Sequence, residues 1–266
     1  RRPSKSMSDS GRLLHYWAAA VLLTLIWMAF AWPWLSGSVT IPWDAKAHFA
    51  PQVQFMAASF GRGELPFWNP YAFSGHPQIA DPQAMIFSPP MLALSLINHS
   101  PSLWAIDAAV LAMRLVAGVG VLWLAYDLKW HWAGALVAAL GFAFGAAMAW
   151  RLQHFGQVFS LAYLPFVLVL LRRAMLKPSL AYGAVAGVIA AFLVLGRAQV
   201  ALLCVYVMVG YVVWQWCQAE RIGSEIVRTL PALLSGAIIG GTIIALPVLM
   251  TLQLAEISNR PSIDYA

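Results

Sequence analysis

The chain is 61% hydrophobic and only 10% charged, so few residues are equipped for chemistry. Asp44 and His48, in WDAKAHF, stand four apart; on a helix they share a face and either hold a divalent ion together or form a wet polar surface. Asp81, in ADPQ, is a second carboxylate. It either works with Asp44, on an ion or an acceptor group, or closes an Asp-Pro turn by bonding its own backbone. His76, in SGHPQ, reads first as a loop hydrogen-bonding residue, with ligation the alternative. Arg151, His154 and Gln157 are grouped in RLQHFGQ, and Arg197 and Gln199 in GRAQ. Guanidinium groups bind phosphate through paired hydrogen bonds; beside apolar runs, their competing use is to snorkel to lipid headgroups. Trp68 and Tyr71 offer flat faces, for a sugar or for packing.

Apolar runs position these residues. Seven approach the roughly 20 residues that cross a hydrocarbon core. They fall at Leu13 to Leu35, Trp104 to Tyr126, Trp132 to Trp150, Phe155 to Leu171, Ser179 to Gly196, Ala198 to Cys217 and Thr229 to Leu252. WAGALVAALGFAFGAAMAW carries no charge on any face, unlike a surface helix of a soluble domain, and lacks the alternation of a barrel strand. The expected fold is all-α: a polytopic membrane helix bundle of about seven transmembrane helices. The first run follows basic residues as a signal peptide does, but its apolar core is too long, and it reads as a retained anchor.

Between the first two runs lies one long connection, residues 36–103, containing ELPFWNPYAFSGHPQIADPQAMIFSPP. So many chain breakers cannot cross lipid, where backbone groups must bond within a helix or barrel. The segment is expected outside the membrane. Phe49, Val53, Met56 and Phe60 form a helical stripe that would lie on the membrane surface, as one helix or as two pieces divided near Pro51. PMLALSLI reads as a second interfacial helix started by Pro90. Asp44, just before the stripe, would otherwise serve as its N-cap.

Of the sixteen Lys and Arg residues, ten lie on one side of this topology: Arg1, Arg2, Lys5, Arg12, Lys129, Arg172, Arg173, Lys177, Arg221 and Arg228. The positive-inside rule then puts the N-terminus in the cytoplasm and the long loop outside. Topology absorbs most of the net charge of +6, and no nucleic-acid partner is expected. Cys204 and Cys217 share one expected helix, too far apart for a disulfide. Arg114 lies inside the second run on one face with Asp107 and is expected to pair with it or with backbone. The Gly141/Gly145, Gly183/Gly187 and Gly236/Gly240 faces suit close packing within the bundle, and by motif alone suit homo-oligomers too. Trp and Tyr residues gather at the run boundaries, as interfacial belts do.

The sequence WDAKAHF, a surface helix, GELPFWNPYAFSGHPQIADPQ and a Pro-Pro return together resemble the first periplasmic loop of bacterial YfhO-like membrane proteins of the GT-C glycosyltransferase superfamily. The likeness extends more weakly through RLQHFGQVFSLAYLPF and GRAQVALLCVYV to EISNRPSIDYA. It implies an N-terminal portion of a longer protein: tail 1–12, first helix 13–35, outer loop 36–103 with the site residues, six helices over 104–252, and a second outer segment from 253. It implies residence in the bacterial cytoplasmic (inner) membrane, with a polyprenyl-phosphate-linked sugar as donor and an extracytoplasmic glycan or lipid as acceptor. Asp44 takes the place of the family's key carboxylate, as general base or acceptor-orienting group, with Asp81 as the second carboxylate. Arg151 and Arg197, with His154, Gln157 and Gln199, would hold the departing phosphate. His76, Trp68 and Tyr71 would line the substrate site. A divalent ion (Mg or Mn), where one is used, would sit on Asp44, Asp81 and His48. The competing class is a transporter or lipid-handling protein without transferase activity, against which the sequence shows no inverted repeat and no broken-helix pair.

Overall fold

The computed structural model describes residues 9–196 and 198–257. The described residues are helical with no named strand. Helix α1 spans Asp9–Leu35, α2 Ala50–Gly61, α3 Pro89–Ile97, α4 Leu103–Asp127, α5 Trp132–Phe144, α6 Ala146–Ala149, α7 Phe155–Leu176, α8 Leu180–Val194, α9 Ala198–Cys217 and α10 Ile222–Glu256. Among the described residues six stretches are long and apolar enough to cross a membrane: α1, α4, α5 with α6, α7, α9 and α10. Helix α8 is apolar but only 15 residues long, so the fifth of the seven expected spans, Ser179 to Gly196, is a shorter element than expected.

Short connections make sequence neighbours antiparallel. Helix α4 packs between α1 and α7, α7 continues onto α8, and α8 lies along α10. Glycine makes that last contact possible. A Cβ at Gly183 would collide with the Ala232 carbonyl, and one at Gly187 with the Gly236 carbonyl. These two faces therefore serve packing within the chain. The Gly141/Gly145 pair does not. Gly141 has nothing within 4 Å, whereas a Cβ at Gly145 would strike the Gly141 carbonyl oxygen. Gly145 leaves the helix at ψ 168°, so the expected helix Trp132 to Trp150 is broken into α5 and α6.

That break exposes carbonyls that need donors, and two long side chains supply them. Buried Arg114 donates from Nε to Ala143 O at 3.1 Å and stacks over Phe144 at 4.8 Å. Gln157 donates to Ala147 O at 2.9 Å. Of the two expected pairings of Arg114, the backbone one is found. Asp107, equally buried, turns instead to the loop and accepts the Ile41 N–H at 2.9 Å.

The 36–103 connection is ordered against the bundle. A π-helical turn, Ala45–Phe49, runs into α2 with Pro51 in its first turn, so the stripe is made by two pieces. Phe49, Val53 and Met56 do not lie on a membrane surface. They are buried with Ile106, Val110 and Phe155 in one core that unites loop and bundle, and Phe49 stacks on Phe155 at 5.0 Å. Where the alternative is water, each such side chain contributes about 1.5–3 kcal/mol. On α3, Met91 and Ser95 are buried while Leu96 and Ile97 are exposed.

Candidate functional site at the loop end of the bundle

Asp44 is delivered by three restraints. Asp107 fixes Ile41 three residues earlier. Trp43 takes the left-handed backbone region at φ 60°, costly for a bulky residue, and reverses the chain. The Trp43 carbonyl then accepts the N–H groups of Lys46 and Ala47, at 3.0 and 2.9 Å. Asp44 makes no side-chain cap bond, which removes the capping alternative. Its Oδ2 lies 3.3 Å from Nδ1 of His154, at the start of α7. The Asp44 side chain is 56% exposed and that of His154 only 14%, so an open carboxylate rests on a largely enclosed imidazole. Arg151 is exposed on the same α6–α7 turn.

Asp81 occupies a second centre. Its Oδ1 accepts the Gln83 N–H at 2.8 Å, the turn foreseen for an Asp-Pro sequence, and its Oδ2 lies 3.2 Å from His76 Nε2. His76 also exchanges two backbone hydrogen bonds with Asn69, each 2.8 Å, which close the loop NPYAFSGH. Asn69 and Gln78, both buried, bond each other through their side chains at 3.0 Å and hold the base of this loop. Its tip turns through Phe73, Ser74 and Gly75, all at positive φ. Trp68 covers Gly75, where a Cβ would come within 2.6 Å of the indole, and Tyr71 meets Phe55 edge-on at 6.1 Å. Both aromatics nonetheless keep exposed faces.

Comparison with protein-family models, with curated proteins and with solved structures finds no match. The site therefore stands on its own geometry.

Of the other candidates, Gln157 is engaged in tying α7 to α6. His48 lies 3.4 Å from Gln52 and against Phe49, and Gln199 is exposed in the first turn of α9. Arg197 falls outside the described residues. Among the described residues no group of three His, Cys, Asp or Glu side chains is arranged to hold a metal ion, and Asp44 and Asp81 each pair with a different histidine.

An apolar cavity of 330 Å³ lies between the loop and the loop-side ends of α8, α9 and α10. Asp81 lines it; Asp44, Arg151 and His154 do not. The loop is held over it by Thr251 of α10, which donates to Ala80 O at 3.1 Å. Its wall residues, chiefly Ile79, Met85, Leu202 and Val248, carry no pattern that sequence reading distinguishes from ordinary lipid-facing or core positions.

Proposed function

We propose that the chain is a glycosyltransferase module of the bacterial cytoplasmic membrane. It moves a sugar from a polyprenyl-phosphate donor to an extracytoplasmic glycan or lipid acceptor. The observation that carries this reading is the contact between Asp44 of the first long loop and His154 of the α6–α7 turn, with Arg151 exposed on that turn. It brings a half-exposed carboxylate, an imidazole and a guanidinium to one end of an apolar bundle. The polyprenyl carrier and the GT-C mechanism come from the likeness of the loop to YfhO-like proteins.

In this mechanism Asp44 accepts the proton of an acceptor hydroxyl, and His154 holds the carboxylate towards the substrate. The hydroxyl oxygen forms the new bond to the anomeric carbon as the bond from that carbon to the phosphate oxygen breaks. The electron pair leaves with the polyprenyl phosphate, whose charge Arg151 stabilises by paired hydrogen bonds. The aromatic faces of Trp68 and Tyr71 suit the sugar.

The test is transfer from a radiolabelled polyprenyl-phosphate sugar by the full protein in proteoliposomes. Asp44→Asn is expected to cut transfer by about 10²–10⁴-fold, the usual contribution of a positioned base, with an unchanged melting temperature. Arg151→Gln is expected to weaken it as well. Full activity in Asp44→Asn rejects the assigned base. The sideways apolar cavity favours one second reading, a lipid-handling protein without transfer, which gains if no donor supports turnover while lipid binding persists.

A further inference from the structure

We infer that a groove at the basic end of the bundle holds an anionic phospholipid, with one acyl chain between α9 and the seam of α8 with α10 and the phosphate at Arg228 and Lys177. The inference rests on the chain lying in a membrane and is independent of sugar transfer.

A second cavity, of 340 Å³, lies between α7, α8, α9 and α10, in the half of the bundle away from the long loop. Its floor is the close seam of α8 and α10, where Gly183, Gly187, Ala232 and Gly236 present almost no side chain. Residues of α9 from Met208 to Trp216 form one wall. At 1.5 Å per residue that wall is about 12 Å long, close to the depth of one leaflet of a hydrocarbon core about 30 Å thick. Val209 and Val213 line the groove and are themselves exposed, so it opens sideways among lipid-facing residues. The described walls carry no charged side chain, so they suit an alkyl chain, and the polar part of its ligand must lie at an end.

One end lies in the middle of the bundle; the other carries charge. Arg228 stands one helical turn before Ala232, and Met175 one turn beyond Leu171, and both Ala232 and Leu171 line the groove. Arg228 Nη2 donates to the Met175 carbonyl at 3.0 Å, so the guanidinium crosses from α10 to α7 at the mouth. Trp216 closes the α9 side, donating from Nε1 to Thr229 Oγ1 at 3.0 Å. Glu225 accepts from Nε and Nη2 of Arg228, which leaves the two N–H groups of Nη1 outside those bonds and able to meet a phosphate oxygen. Glu225 offsets the charge of Arg228, and Glu220 that of Arg221. The surplus comes from Lys177, exposed two residues beyond Met175, and from Arg172 and Arg173, which share the single carboxylate of Asp127. Basic clusters between membrane helices bind the heads of anionic lipids, and the amphipathic ring of Trp216 favours headgroup level. A zwitterionic head brings a further cation to this surplus and is the weaker ligand.

The experiment uses the full chain in nanodiscs with two photoreactive lipids that share one diazirine-bearing tail: a phosphatidylglycerol and a phosphatidylcholine. After irradiation, labelled peptides are located by mass spectrometry. The phosphatidylglycerol is expected to label the peptide containing Met208 to Trp216 about tenfold more than the phosphatidylcholine does, the ratio set by a modest difference in affinity. Val213→Trp, at an exposed wall position, is expected to fill the groove and abolish labelling of that peptide by both. Arg228→Gln and Arg228→Lys each remove the guanidinium bridge to Met175, yet only Arg228→Gln is expected to bring the two probes level, because Lys keeps the charge. Lys177→Gln, at an exposed position, is expected to lower the ratio with an unchanged melting temperature. Equal labelling by both probes in the native protein overturns the inference. So does a preference that survives Arg228→Gln combined with Lys177→Gln, or labelling that ignores Val213→Trp. Absence of labelling, with the groove covered by a second copy or by the chain beyond residue 257, overturns it as well.

Discussion

Ile41 donates its N–H to Asp107 from a position that is 1% exposed, so this hydrogen bond has no ready replacement by water. Asp107→Ala leaves the amide buried without an acceptor, a loss of about 1–3 kcal/mol. Asp107→Asn retains an acceptor oxygen. The expected result is a lower melting temperature and faster proteolysis of residues 36–44 in Asp107→Ala, with most of the native value kept in Asp107→Asn. Equal behaviour of the two variants would mean that the bond does not hold the loop. Sequence reading found Asp107 and Arg114 as charges in an apolar helix, yet their actual partners, Ile41 and Ala143, are backbone groups far along the chain. The same limit applies to the site. Asp44 and His154 are each conspicuous by type, but only tertiary packing brings them to 3.3 Å.

At the scale of elements, identical glycine motifs have opposite physical meanings. Gly187 meets the Gly236 backbone, while Gly141 faces open space within 4 Å. Gly187→Ala must push α8 from α10 and is expected to cost about 1–3 kcal/mol, as overpacking does. Gly141→Ala adds a better helix former to α5 at no steric cost and is expected to stabilise by about 0.5–1 kcal/mol. Thermal unfolding in detergent distinguishes them; destabilisation by both would contradict the assigned packing. The hydrophobic periods made the helices legible because long apolar runs have few competing structures. The break at Gly145 was not legible, because glycine in an apolar helix looks the same whether it packs or interrupts. The stripe of α2 was legible as a stripe, but not what covers it: burial against α4 and α7 and burial in a headgroup layer require the same residues.

For the whole molecule, the two ends differ in charge. Asp127 pairs with Arg172 and Arg173 at 2.9 Å, Arg12 stacks over Tyr126 and Arg228 bonds Glu225 and the Met175 carbonyl, all at the end away from the long loop. Lys129, Lys177 and Arg221 join them there, whereas the loop end carries Lys46, Arg62 and Arg151 among the described residues. Exposed tryptophans mark both ends, Trp32, Trp104 and Trp150 on one and Trp17, Trp130 and Trp214 on the other, in the manner of interfacial belts. The positive-inside rule predicts a cytoplasmic basic end, and the proposed transfer requires the loop with Asp44 on the opposite side of the membrane. Two cysteines read this directly. Cys217, exposed at the end of α9, reports the basic end, and Phe73→Cys, at a loop tip that is 88% exposed, reports the other. A membrane-impermeant maleimide applied to intact spheroplasts is expected to modify Phe73→Cys and to reach Cys217 only after permeabilisation. The reverse pattern would put the carboxylate in the cytoplasm, away from any extracytoplasmic acceptor, and the proposed transfer could not take place at Asp44.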